Sequence, residues 1–176
     1  MLTYRKLLEN EISRELFLHF IRHQIVTMCW RKHNGQWAVE EDPFVDEWTE
    51  ADYQELILHL QETVRSGGFV YAAFYNNQLK GVVSVESNLF GSAHQYLDLT
   101  DIYVSEDMRK CGIGRTLFNA AKMWAKAHSA EKLYISAHSA VESQEFYRSM
   151  GCTEAQEYSQ SHVEKEPFDC QMECVL

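Results

Sequence analysis

The sequence contains little that would divide it into separate units. It has only two prolines, Pro43 and Pro167, in 176 residues. It shows no internal repeat, no low-complexity segment and no stretch typical of an interdomain linker. Its length is close to that of one average domain. We therefore expect a single domain over residues 1–176.

Paired cysteines and long apolar runs are also lacking. No cysteine stands in a C-x-x-C pair, so neither a zinc site nor a disulfide framework is indicated. The first residues, MLTYRKLLENEI, contain no long apolar segment, and no run of about 18 apolar residues occurs anywhere. These absences predict a soluble protein of the reducing cytosol, and we expect a cytoplasmic location.

Basic residues are in the minority, with 16 Lys and Arg against 26 Asp and Glu and a formal net charge of −10. Nucleic acid is a poor partner for such a chain, because binding to phosphates requires a basic surface. At 45% hydrophobic residues the chain can build a core. Its acidic surface suits either a cationic ligand or simple solubility.

The N-terminal part combines strand and helix patterns. A short strand is predicted over 3–8, a helix over 11–26, and a polar, aromatic stretch follows from about 29 to 48. The helix is predicted from apolar residues at helical spacing, namely Ile12, Leu16, Phe20 and Ile21. Thr49 and Asp52 then stand at the spacing of a capping box and begin a second helix.

The remainder alternates between strands and helices. Two β-rich runs around Asn76-Asn77 predict a hairpin, and QYLDLTDIYV, KLYISA and FDCQMECVL predict further strands. In the last strand Gln171 and Glu173 are expected to form an exposed face. A helix is expected after the glycines near 112, and Ser139 with Glu142 predicts the capping box of another.

Strand 96–104 has an irregular apolar pattern. Its apolar residues lie at both odd and even positions: Leu97, Leu99, Ile102 and Val104. Strict alternation cannot bury all of them on one face, whereas one extra residue near Thr100, a β-bulge, restores the register. The bulge would also place Asp98 and Asp101 on one face. The alternative is a regular strand that is covered on both faces.

The stretch YVSEDMRKCGIGRTLF (103–118) matches two phosphate-binding motifs poorly. A P-loop requires glycine and lysine where Arg109 and Arg115 stand, and a dinucleotide-binding motif requires glycine where Leu117 stands. The remaining interpretation uses the backbone alone. The first N–H groups of a helix have no acceptor within the helix, and the helix dipole adds positive charge, so an anion fits there.

Two motifs in this region resemble those of the GNAT acyl-CoA-dependent N-acyltransferases. The first, R/Q-x-x-G-x-G/A, stands here as Arg109-Lys-Cys-Gly112-Ile-Gly114, and the second as Phe146-Tyr147-Arg-Ser-Met-Gly151. The resemblance covers about residues 70–152. It implies an α/β (α+β) fold with a mixed, mostly antiparallel sheet of six to seven strands. The fourth strand would be bulged and splayed, and about four helices would flank the sheet.

The resemblance also implies where acetyl-CoA, as co-substrate, binds. The pantetheine arm would pair with the backbone of Ile102, Tyr103 and Val104. The glycine loop would hold the pyrophosphate through its backbone amides and its basic side chains. Its residues are Arg109, Lys110, Cys111, Gly112, Ile113, Gly114, Arg115 and Thr116. The family often has Asn where this chain has Ala140, so Ser139, Ser143 or His138 is expected to supply that polar contact.

The reaction implied is direct attack of a neutral amine on the thioester. Tyr147 matches the family tyrosine near the CoA sulfur and is the candidate acid for the departing thiolate. Asp98 and Asp101 are the candidate bases, acting directly or through water; both could instead be solvated or turn-capping residues. The sequence does not distinguish between Asp98, Asp101 and a water molecule as the base.

The acceptor is expected to be a small cationic amine, bound by the acidic, aromatic segment that contains Trp37, Glu40 and Glu41. A protein or peptide amine is the alternative acceptor, and a non-catalytic acyl-CoA sensor or an interaction module is the alternative class. His19 and His23 stand at i, i+4 but lack a third ligand, so no metal is expected. Relatives are often homodimers, and the residues do not decide the oligomeric state.

Overall fold

The computed structural model describes residues 1–176 and contains a seven-stranded sheet. The spatial order of its strands is β1-β4-β5-β6-β7-β9-β8. The bounds are β1 Leu2–Lys6, β4 Phe69–Tyr75, β5 Gln78–Val85, β6 Tyr96–Val104, β7 Lys132–Ala137, β8 Thr153–Glu154 and β9 Cys170–Val175. A second sheet pairs β2, His23–His33, with β3, Gln36–Glu47. Only β6 and β7 pair in parallel, so the main sheet is mixed and mostly antiparallel, as expected.

Four α-helices flank the sheet: α1 Glu50–Arg65, α2 Ile113–Ala127, α3 Val141–Ser149 and α4 Gln160–Lys165. Helix α2 buries Leu117, Phe118 and Ala121 in a core with strand residues such as Leu97 and Leu133. Each large apolar side chain buried in this way contributes roughly 2 kcal/mol. None of the helices combines the length and the apolar character needed to cross a membrane.

The opposite face of the sheet is covered by α1. Leu56, Ile57 and Leu60 pack there against Val70 and Val82. Thr49 caps this helix as predicted, since its side chain accepts from the Asp52 amide and Asp52 accepts from the Thr49 amide. The sheet is therefore covered on both faces, and β6 lies at its centre.

The β-bulge in β6 is confirmed. Ser84 pairs with Asp101 and Val85 with Leu99, so Thr100 has no partner on β5. The extra residue lets all four apolar side chains of the strand reach the core beneath α2: Leu97, Leu99, Ile102 and Val104. Asp98 and Asp101 consequently share the opposite face of the strand.

β6 and β7 separate after a short contact. Their pairing includes only residues 96–98 of β6 and 132–134 of β7. The edge of β6 from Leu99 to Val104 therefore has no neighbouring strand on that side. This splay creates the opening in which the candidate site lies.

The predicted helix over 11–26 is wrong. Two short 3-10 turns, Glu9–Glu11 and Glu15–Phe17, occupy its first part, and β2 begins at His23. The apolar residues at helical spacing still reach the core, because Ile12 and Phe20 pack beneath α1. Asn34-Gly35, with φ of 50° and 80°, forms the turn that joins β2 to β3. Such a dipeptide is a strong hairpin signal, and it lies inside the stretch predicted only as polar and aromatic.

Two further predictions about the C-terminal half are wrong. Ser139 does not cap α3: Ala140 occupies the N-cap position, and the Ser139 hydroxyl accepts from Arg31 on β2 instead. Gln171 and Glu173 are buried rather than exposed. They accept hydrogen bonds from Tyr134 and Tyr96, respectively, so polar partners cover the second face of β9.

Candidate active site

A cleft of about 1010 Å³ opens where β6 and β7 separate. Its walls come from α1, the C-terminal half of β6, the loop before α2, the face of α3, and the segment from α4 to β9. Residues of both charges line it: the basic ones are Arg22, Arg109, Lys110, Arg115 and Lys165, and the acidic ones are Asp46, Asp52, Glu55, Asp101, Glu142, Glu145, Glu166 and Asp169. Arg109, Lys110 and Arg115 form a local group of cations at the start of α2.

The loop before α2 presents free backbone donors. The N–H groups of residues 110–115 donate no hydrogen bond, whereas the Thr116 amide already donates to the Gly112 carbonyl. Lys110 and Gly112 have left-handed φ values of 61° and 81°. These turns place consecutive amides at the positive end of the α2 dipole, an arrangement that binds phosphate groups.

The two glycines of the loop have different physical roles. Gly112 needs its left-handed φ, and a Cβ there would meet no atom within 4 Å. A Cβ on Gly114 would lie 3.2 Å from Cε2 of Phe146, so glycine allows α2 to pack closely against α3. Arg109 has a structural contact as well, because its guanidinium donates to the His23 carbonyl at 2.7 Å.

Tyr147 lies on α3 and lines the cleft. Its ring packs against Phe118 and Phe146, with centroid separations of 6.3 and 5.3 Å. Its hydroxyl has no hydrogen-bond partner in the protein. Burial raises the pKa of this phenol above its ordinary value, so the hydroxyl keeps its proton at neutral pH.

Asp101 belongs to a network that the sequence did not reveal. Its Oδ2 accepts from Ser84 Oγ at 2.6 Å and lies 2.8 Å from Nδ1 of His59. Nε2 of His59 lies 2.9 Å from Oε1 of Glu86. The hydrogen bonds to Asp101 and Glu86 raise the pKa of His59 to about 10. Oδ1 of Asp101 accepts no hydrogen bond, and the residue lines the cleft.

Asp98 has a different environment. Its Oδ2 lies 2.6 Å from Nε2 of His162 on α4, and its Oδ1 is buried without a partner. Burial raises the pKa of this carboxyl. His162 lines the cleft, whereas Asp98 does not. His59 and His162 were both missed from the sequence, because each is paired with a residue far away along the chain.

The remaining predicted site residues fall into three groups. Ile102, Tyr103, Val104, Ile113 and Ser143 line the cleft with the glycine loop. Cys111 is exposed within that loop. Trp37, Glu40, Glu41 and Ser139 do not line the cleft. Glu40 pairs with His33 on the hairpin. From the same acidic, aromatic segment, Asp46 and Trp48 line the cleft instead, and they lie at and just after the end of β3.

Comparison with known proteins agrees with this geometry. The Acetyltransferase (GNAT) family matches residues 29–152. A nourseothricin acetyltransferase has a TM-score of 0.71 and 16% identity, over 99% of this chain and 98% of that one. A Bacillus anthracis protein assigned as a streptothricin acetyltransferase, solved with acetyl coenzyme A, has a TM-score of 0.70 and 19% identity, over 100% and 99%. A PaiA N-acetyltransferase from Thermoplasma acidophilum, solved with coenzyme A, has a TM-score of 0.61 and 14% identity, over 100% of this chain and 99% of that one. No curated protein sequence matches the chain.

A splayed central strand followed by a loop of free amides defines an acyl-CoA-dependent transferase fold. The family match spans more than half of the chain, and the chain belongs to the GNAT acetyltransferase family. It is an acetyl-CoA-dependent N-acetyltransferase.

Proposed function

We propose that this protein acetylates a primary amine of a small cationic molecule. The observation that carries the proposal is that one cleft is lined both by the loop with its free amides and by Asp101, whose Oδ1 accepts no hydrogen bond. An anionic coenzyme would meet the amides and basic side chains of the loop, and a cationic acceptor would meet the carboxylate of Asp101.

The residues of the loop before α2 fit coenzyme A. The free amides of residues 110–115 and the positive end of α2 suit its pyrophosphate. Lys110 and Arg115 are exposed beside them and add positive charge. The unpaired edge of β6 at residues 102–104 offers backbone partners for the amides of the pantetheine arm. Acetyl coenzyme A supplies the thioester from which the acetyl group is transferred.

We assign the acceptor amine to Asp101. Its free Oδ1 can accept from an ammonium group, because Oδ2 is already engaged by Ser84 and His59. An alkylamine has a pKa of about 10.4, so roughly one molecule in a thousand is neutral at pH 7. The bound amine must therefore lose a proton before it attacks, and a protein base can provide this step.

Tyr147 is assigned as the proton donor to the departing sulfur. Its hydroxyl is free of protein partners, is protonated at neutral pH and lines the same cleft as Asp101. A neutral phenol can donate without carrying a charge at rest.

The size of the acceptor is inferred from the cleft. A cavity of about 1010 Å³ must hold part of the coenzyme as well as the acceptor, which favours a small molecule over a folded protein. Two structural neighbours, a nourseothricin acetyltransferase and a protein assigned as a streptothricin acetyltransferase, are named after small molecules. They support this choice without fixing the compound.

The test is thiol release from acetyl-CoA with a panel of amines: polyamines, aminoglycosides, streptothricin-type compounds, amino acids, peptides and a lysine-rich protein. We expect turnover with a small polycationic amine. Asp101→Asn should lower kcat/KM for that amine about tenfold or more, the usual loss for a charge-assisted hydrogen bond. Glu41→Gln, on the exposed hairpin, is the matched control and should leave it unchanged.

Two outcomes would overturn the proposal. Coenzyme A binding by calorimetry without thiol release from any amine would indicate an acyl-CoA-binding domain. Turnover with the protein substrate but with no small amine would show that the acceptor class is wrong.

A further inference from the structure

Three histidines line the cleft: His59, His138 and His162. Nδ1 of His138 accepts from the Ala140 amide at 3.0 Å, whereas His59 and His162 are each paired with carboxylates that give them different chemistry. Both ring nitrogens of His59 lie within 2.9 Å of carboxylate oxygens, those of Asp101 and Glu86. A carboxylate only accepts hydrogen bonds, so both nitrogens carry protons and the ring is an imidazolium. His59 therefore has no free lone pair with which to take a proton from an amine.

His162 is engaged at one nitrogen only. Its Nε2 lies 2.6 Å from Asp98 Oδ2, and its ring stacks on Tyr134 at 5.5 Å and 17°. Nδ1 has no partner in the protein. A carboxylate on one nitrogen fixes the tautomer with Nε2–H, and it leaves the lone pair of Nδ1 available.

Asp98 occupies the base of the splay. It is the last β6 residue that pairs with β7, opposite Tyr134, and its carboxylate does not line the cleft. Its Oδ1 is buried without any partner. Most buried polar atoms in folded proteins have a hydrogen-bond partner, so a buried oxygen without one needs an explanation. Asp98 can act on the cleft only through His162.

We infer that His162 is the catalytic base of acetyl transfer and that Asp98 is a positioning residue that acts through it. This inference rests on the proposed function. The acceptor ammonium gives one proton to Nδ1 of His162, and the neutral nitrogen then bonds to the acetyl carbon while the carbon–sulfur bond breaks. The nitrogen loses a second proton as the amide forms. The sulfur gains one proton through Tyr147, so one proton is released to solvent per acetyl group transferred.

The pH dependence follows from the groups around His162. The hydrogen bond to Asp98 raises the pKa of His162, and burial acts in the opposite direction. The charged or titratable groups facing this pair are Tyr134 on β7, Lys165 on α4, Asp169 before β9, and Glu86 and Asp101 acting on Asp98. The base form is neutral, so kcat/KM should rise with pH through a value above 6.5, the ordinary pKa of histidine.

The experiment compares His162→Gln, Asp98→Asn and the control His19→Gln over a range of pH, with an amine that the wild-type enzyme accepts. His19 is a suitable control, because its side chain is exposed and has no partner. His162→Gln should lower kcat/KM about 100-fold at neutral pH, the usual contribution of a general base. The difference in kcat/KM between wild type and His162→Gln should become smaller as the pH approaches the amine pKa of about 10.4, because more of the amine is then neutral without a base.

Asp98→Asn should lower kcat/KM about tenfold and move the rising limb to lower pH, because the imidazolium loses its carboxylate partner. Nuclear magnetic resonance titration of the His162 ring should show the same downward change in pKa. Coenzyme A affinity by calorimetry should match wild type in every variant, which excludes misfolding as the cause.

Equal kcat/KM for wild type and His162→Gln at all pH values would overturn the assignment of His162. A His162 titration unchanged by Asp98→Asn would overturn the positioning role of Asp98. Both results are distinct from a failure of the proposed function, in which the wild-type enzyme itself releases no thiol with any amine.

Discussion

Asp98 and Asp101 lie on one face of β6, yet their surroundings assign them different tasks. Asp101 keeps one oxygen free beside the cleft, whereas Asp98 is buried and contacts it only through His162. The apolar pattern of the strand was sufficient to predict that both carboxylates share a face. Their histidine partners come from α1 and α4, and no local pattern connects them to β6.

The role of Tyr147 gives the first prediction. Tyr147→Phe removes the hydroxyl and keeps the ring contacts with Phe118 and Phe146. We expect kcat to fall about 100-fold, since a general acid contributes at least this much when thiolate departure limits the rate. Coenzyme A affinity, measured by calorimetry, should stay at the wild-type value. Wild-type turnover in this variant would show that the sulfur receives its proton from another source.

His59 gives a prediction about stability. Its pKa is raised from 6.5 to about 10 by Asp101 and Glu86. The folded state therefore holds a proton that the unfolded state releases within this range. The stabilisation is fully present below pH 6.5 and is lost as the pH rises through about 10. We expect His59→Gln to reduce the free energy of unfolding by roughly 1–2 kcal/mol near neutrality, a modest value because part of the ring is solvent-exposed.

Urea unfolding of wild type and His59→Gln over a pH series would measure this difference. The gap in the free energy of unfolding should close towards about pH 10, while His19→Gln should show no gap at any pH. A gap of constant size would mean that His59 contributes through packing and not through its charge.

At the scale of elements, a helix, turn or bulge was predicted correctly where residues close together in the sequence determine it. The Thr49 cap, the hairpin at Asn76-Asn77 and the bulge near Thr100 are decided within a few residues, and all three are confirmed. The helix over 11–26 failed because its periodic apolar residues reach the core from two short turns, so tertiary packing beneath α1 outweighs helical periodicity. Gln171 and Glu173 were misplaced because their partners are far away in the sequence: the hydroxyl of Tyr134 lies on the adjacent strand β7, and that of Tyr96 lies one strand further, on β6.

Ser139 and Ser143 were predicted as alternatives for the same polar contact with the coenzyme. The β2–β3 hairpin distinguishes them, because it contacts Ser139 just before α3. Ser139 binds Arg31 of β2, and its carbonyl accepts from the Trp30 amide. Ser143 lines the cleft. We expect Ser139→Ala to lower the free energy of unfolding by about 1 kcal/mol without changing coenzyme A affinity. Ser143→Ala should weaken coenzyme A binding about threefold to tenfold, the effect of losing one hydrogen bond.

Calorimetry with coenzyme A and urea unfolding on the same two variants would measure both effects, so each serine serves as the control for the other. The opposite result would be weaker coenzyme A binding in Ser139→Ala and unchanged binding in Ser143→Ala. It would show that Ser139 makes the polar contact with the coenzyme that Asn often makes in the family, where this chain has Ala140.

At the scale of the whole molecule, the net charge of −10 conceals a small basic area within the cleft. Arg109, Lys110 and Arg115 form this area at the start of α2, and the same cleft is lined by carboxylates, including that of Asp101. Composition alone predicted an acidic surface and excluded nucleic acid. It could not predict that this basic area and Asp101 share one cleft, because the sheet topology brings residues that are distant in the sequence to one opening.

The proposed contacts each join opposite charges, so we expect salt to weaken the binding of both substrates. Raising the ionic strength from about 0.1 M to about 1 M shortens the Debye length from about 10 Å to about 3 Å. The KM values for acetyl-CoA and for a polycationic amine should therefore each rise several-fold. An acetyl-pantetheine donor, which lacks the charged phosphates, is the control, and its KM should not rise with salt. Replacing Lys110 and Arg115 by glutamine should reduce the effect of salt on the KM for acetyl-CoA and leave its effect on the KM for the amine unchanged. If the effect of salt decreases equally for both substrates, the electrostatic field of the whole protein, and not the basic loop, governs coenzyme binding.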